Sequence, residues 1–96
     1  MNQTIDPEMY TRDDIFANIN RERTLQEELL GAAFDAERTI NDWAMYINAH
    51  LVEASRAQTN AGMRKQLIKV AALAVAALET DIAVGIMPRY YDTSGE

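Results

Sequence analysis

The stretch from Leu67 to Leu78 reads LIKVAALAVAAL, apolar on every side except at Lys69. No element constrains the fold of this chain more. Embedded in a longer pattern from Ala61 to Val84, it is a helix whose faces both want cover. At twelve residues it falls short of the roughly 20 that a bilayer needs, so a buried core helix is expected and not a membrane span. Met63, Leu67, Val70, Ala74, Ala77 and Leu78 form one face. The alanines let neighbours come close, and Gly85 with Pro88 end the helix. Such a helix sits in the middle of a bundle, touched from two sides.

Two further helices precede it. Thr39-Ile40-Asn41-Asp42 is a cap pattern, a threonine with an acid three residues on. After it, Trp43, Tyr46, Ile47, His50, Leu51 and Ala54 recur at helical spacing to about Ala57, and Gln58 to Gly62 reads as a turn. Thr11 to Asp14 repeats the cap. The apolar face that follows is Ile15, Phe16 and Ile19, resumed by Leu25, Leu29 and Leu30, with a polar Asn20-Arg21-Glu22-Arg23 between. Gly31 weakens this helix without necessarily ending it. Ala32 to Arg38 reads equally as helix or connection, so the expectation is an all-α bundle of three or four helices spanning residues 11–85. Residues 1–10 read as a loose arm. The tail 86–96, with Met87, Tyr90 and Tyr91, reads as a segment that folds back on the bundle or caps a partner subunit.

Composition closes several routes to function. A net charge of -6 disfavours a broad duplex-binding face. The absence of cysteine removes disulfides, thiolate metal sites and thiol nucleophiles, and one histidine cannot build a multi-histidine site within one chain. No charged-then-apolar leader is visible, so a cytoplasmic protein is expected. There is no phosphate-cradling glycine loop and no serine, histidine and acid arrangement.

Three runs in order resemble the MazG-like nucleotide pyrophosphohydrolases, in particular their short stand-alone members: Glu22-Arg23-Thr24-Leu25-Gln26, the tryptophan-led Trp43 to Ala54, and Arg64 to Ala72. The resemblance spans residues 15–80. It implies a helical bundle that forms dimers or tetramers, in bacteria or in phages. It also implies Mg²⁺ held by E-x-x-E and E-x-x-D clusters on two facing helices. Hard oxygen ligands suit that ion, and acids three or four residues apart share a helix face.

Here those clusters are depleted. The acidic pair of the tryptophan-led helix falls on Ala49 and His50, and Glu53 alone remains. On the next helix Gln66 and Lys69 stand where the family has glutamate and aspartate. The other acids, Glu27, Glu28, Asp35, Glu37, Glu79 and Asp81, do not compose a replacement motif. No catalytic residue, metal ligand or cofactor is therefore assigned, Mg²⁺ entering only if the site has been rebuilt.

The reading that follows is a degenerate MazG-like protein that holds a nucleotide without cleaving it. Lys69 would stand in for the metal charge, with His50, Glu53, Arg64 and Lys65 around it and Trp43 packed in the core or stacked on a base. A lone ammonium in an apolar run also has a plainer account: it pairs with Glu53 or snorkels to water. Two alternatives remain, an active Mg²⁺-dependent pyrophosphohydrolase with a remodelled site and a helical oligomer acting through protein–protein interaction.

Overall fold

The computed structural model describes residues 11–86, and the expected arm and the tail beyond Ile86 lie outside the described residues. The described residues form an all-α bundle of three helices, α1 (Arg12–Ala36), α2 (Ile40–Arg56) and α3 (Asn60–Val84). Both α1 and α2 pack on α3 in preference to each other. The Ala-rich helix is thus the spine, as its composition implies.

The caps set the helix starts. At α1, Thr11 Oγ1 accepts from the Asp14 amide at 3.1 Å, while Asp14 Oδ2 accepts from the Thr11 amide at 3.0 Å. The same reciprocal pair opens α2, between Thr39 and Asp42 at 3.1 and 2.8 Å. The Thr39 amide, and after it the Thr39 hydroxyl, hold the Asp42 carboxyl below the ordinary aspartate value, with the Arg38 charge adding to them. Thr59 caps α3 by accepting from the Gly62 amide at 2.9 Å. Gly62 therefore lies inside the helix, and the turn is shorter than the run Gln58 to Gly62. Gly85 ends α3 in the left-handed region at φ 69°, where its amide donates to the Asp81 carbonyl at 2.7 Å.

Gly31 settles the ambiguous segment. Residues 32–36 continue as helix, but Gly31 itself has φ 83° and ψ 164°, so α1 is kinked there. A backbone in that region is open to glycine almost alone. The result is three helices with a break in the first.

The core is small. Trp43, 2% exposed, packs with Leu73, Ala76 and Ala77, and Tyr46, Ile47 and Ile86 lie against that cluster. Tyr46 meets the indole edge-on, ring centroids 6.1 Å apart. The side of α1 that meets α3 is largely polar. Arg23 is buried and Glu22, Ile19 and Gln26 are half-buried, while Phe16, Leu25 and Leu29 are exposed. Of the apolar stripe read from the sequence, Ile19 lies on that side, Ile15, Phe16, Leu25 and Leu29 are exposed, and the Leu30 side chain lies outside the described residues. An arginine at the contact reaches an acid on α3, and Leu25 and Leu29 are left on the flank.

Candidate functional site

The six residues singled out from the sequence divide between two helices. Trp43, His50 and Glu53 are on α2; Arg64, Lys65 and Lys69 are on α3. Trp43 is a core residue. Its ring is enclosed, and its Nε1 has no hydrogen-bond partner among the described residues. Stacking on a base would require it to leave the core. Glu53 and Lys65 are exposed, and Arg64 is half-buried in the first turns of α3.

His50 and Lys69 are each engaged by a neighbour that the sequence reading had not paired with them. His50 Nδ1 lies 2.7 Å from Gln66 Oε1, a tie between α2 and α3. With the oxygen as acceptor, the ring carries its proton on Nδ1. Lys69 Nζ donates to Glu22 Oε2 at 3.2 Å, a tie between α1 and α3. The partner of Lys69 is thus Glu22 and not Glu53. The two side chains are only partly accessible, at 26% and 19%, and each carries the charge that makes the other's desolvation tolerable.

A third tie was missed altogether. Arg23 Nε donates to Glu79 Oε1 at 2.8 Å, and Nη2 lies 3.9 Å from Glu27. Glu22 and Arg23 are adjacent in the chain, yet their partners on α3 are ten residues apart. The two side chains therefore reach along α3 in opposite directions and fix where α1 crosses it. Neighbour order along the sequence carries no sign of this, since the paired residues are 47 and 56 positions apart. The one sequence signal was the polar run at Asn20 to Arg23 in the middle of a helix that otherwise needs an apolar face.

At the other end of α2, Arg38 reaches the Tyr46 hydroxyl at 3.4 Å and Glu37 at 3.7 Å. The tyrosine hydrogen bond, with nearby acids, holds the guanidinium even more firmly in its charged form.

The positions that the resemblance assigns to metal ligands on α3 thus hold an amide and an ammonium, each tied to another helix. Among the described residues, no three or more acids or histidines gather as a set of metal donors. Chemically, the arrangement is a layer of internal pairs across the α1–α3 and α2–α3 contacts. Among the same residues, no helix is long and apolar enough to cross a membrane. Compared with protein-family models, curated proteins and solved structures, the chain matches none.

Proposed function

We propose that this chain is a non-hydrolysing helical protein of the MazG-like type that works by associating with protein. The observation that carries this reading is the distribution of its apolar side chains. Among the described residues thirteen large ones are exposed, Leu29 at 82% and Ile82 at 85% included, whereas the buried apolar set is Trp43, Leu73 and four alanines. Scattered exposed leucines are ordinary, but an outer surface richer in large apolar groups than the core belongs to proteins that bury it elsewhere.

The internal pairs bear on the nucleotide-holding alternative. A phosphate approaching Lys69 would meet an ammonium already neutralised by Glu22 and would have to sit beside that carboxylate. Like charges at such a distance repel strongly in a partly desolvated site. His50, committed to Gln66, is no more available. These residues are better suited to holding helices together than to holding an anion.

The test is a thermal-melt screen of the full chain against nucleoside mono- and triphosphates and cyclic nucleotides, with and without Mg²⁺ and Mn²⁺. The expected result is no shift. A ligand at a hundred times its Kd stabilises by about 2.7 kcal/mol, which would raise the melting temperature of so small a domain by about 10 °C or more. A rise of that size without metal, lost in Lys69→Ala, would establish nucleotide holding and overturn this reading. A rise only with metal would establish a rebuilt metal site.

A further inference from the structure

The C-terminal half of α3 carries an apolar strip on the side turned away from its partners. Ala72, Leu73, Ala76, Ala77 and Thr80 are buried. Val75, Leu78 and Ile82, three and four residues apart, share the opposite side of the helix. All three are exposed among the described residues, Leu78 at 55% and Ile82 at 85%. Glu79 borders the strip on the side of α1, where its carboxylate meets Arg23. Asp81 borders the other side, about 100° back around the helix from Ile82.

Charge at this end of the bundle identifies what fits the strip. Trp43 packs by Ala77 and His50 meets Gln66, so α2 and α3 are antiparallel, and the start of α2 lies by the end of α3. The three-residue connection after Ala36 brings the end of α1 to the same place. Among the described side chains this end carries six acids, Glu27, Glu28, Glu37, Asp42, Glu79 and Asp81, against two arginines, Arg23 and Arg38. Both arginines are already engaged. Arg23 lies between Glu27 and Glu79, one cation for two carboxylates, and both acids remain 55% exposed in spite of it. Arg38 is held by Glu37 and the Tyr46 hydroxyl. The opposite end has the reverse balance, six bases against four acids. Two helix C-termini and one N-terminus deepen the negative potential around the strip.

We infer that this strip docks a basic amphipathic helix of another protein. Its apolar stripe covers Val75, Leu78 and Ile82, and lysines or arginines on its flanks answer the carboxylates at the edges. Nucleic acid and anionic lipid are repelled by the same surplus of acid. The inference rests on the reading of the chain as an association module and names the chemistry of its partner.

The test is fluorescence anisotropy of the full chain with a labelled helical peptide of about 18 residues, leucine on one face and lysine on the other. A companion peptide with glutamate in place of lysine is the charge control. The lysine peptide should bind with a Kd on the order of 10 μM, weakened about fivefold or more as salt rises from roughly 0.05 to 0.5 M. The double variant Leu78→Gln, Ile82→Gln should raise that Kd about tenfold or more, with helicity by circular dichroism retained because both side chains are exposed. Val52→Gln, on the exposed side of α2, should leave it unchanged. Equal binding of the glutamate peptide would overturn the proposal. So would a Kd indifferent to the double variant, or one weakened as much by Val52→Gln. An absence of binding at up to about 100 μM, whether a second copy or residues 87–96 occupy the strip, would overturn it too. Failure of the peptide with a flat nucleotide screen would end this proposal and leave the association reading; a nucleotide-induced shift would instead remove that reading.

Discussion

Replacing Trp43 separates two contributions that usually travel together, volume and hydrogen bonding. Trp43 is 2% exposed and is the largest member of the core cluster, with Leu73, Ala76 and Ala77 around it. Truncation to alanine at such a site costs about 3–5 kcal/mol, a large share of the roughly 5–10 kcal/mol expected for a domain of this size. Trp43→Ala should therefore keep only a fraction of the parent's stability and unfold at a much lower urea concentration. Trp43→Phe should behave differently. It forfeits about 1–2 kcal/mol of apolar burial and packing, but it also removes an indole N–H that is enclosed without a partner among the described residues. An orphaned buried donor costs about 1–3 kcal/mol. The two effects oppose, so Trp43→Phe should lie within about 1 kcal/mol of the parent. The assay is urea unfolding followed by far-ultraviolet circular dichroism at one fixed protein concentration, because the variant has lost its only tryptophan. A loss above about 2 kcal/mol for Trp43→Phe would refute the argument and show that the indole N–H is satisfied.

The other expectations concern the backbone. Thr39→Ala removes the acceptor that caps α2 and should cost about 1 kcal/mol in the same urea experiment. Because Asp42 is held below its ordinary value by that cap, its contribution is in full force above about pH 4 and disappears as pH falls through its lowered folded value. The melting temperature of Asp42→Asn should accordingly converge on that of the parent in acid; a gap that persisted below pH 2 would exclude the carboxylate as its source. Gly31→Ala meets no neighbouring atom, so its effect is conformational alone. A side chain at φ 83° should cost about 1–3 kcal/mol, and a more stable variant would show that α1 straightens without loss.

Local signals were the ones legible in the sequence. Thr11, Thr39 and Gly85 act where their cap patterns place them, because a cap is decided by residues within one turn. The central position of α3 was legible too, since a helix apolar on all sides has few other places to go. What stayed hidden was which residues meet across helices. Ile15, Phe16, Ile19, Leu25, Leu29 and Leu30 read as the apolar face of α1, and of these only Ile19 is half-buried among the described side chains; periodicity counts apolar residues and cannot see that Glu22 and Arg23 have acceptable partners on α3. In the same way Lys69 announced that it needs a counter-charge, and only the crossing of α1 shows that Glu22 supplies it. The outer stripe of α3 was visible as sequence; that α1 and α2 both choose the other side was not.

Because α1 and α2 each pack on the spine far more than on each other, the molecule has a natural order of opening. The α2–α3 pair is joined by a three-residue connection and holds the whole tryptophan cluster, so it is a local unit able to form early. The first helix brings one buried side chain among those described, and that one is the charged Arg23. Amide protons of α1 should therefore exchange from a partly opened state well below the free energy that protects the core of α3. Its attachments, Lys69–Glu22 and Arg23–Glu79, are ionic and partly wet, so they weaken as salt shortens the reach of charge. Ionic strength thus acts on this bundle as a selective lever: it loosens one helix while leaving the hairpin beneath it intact.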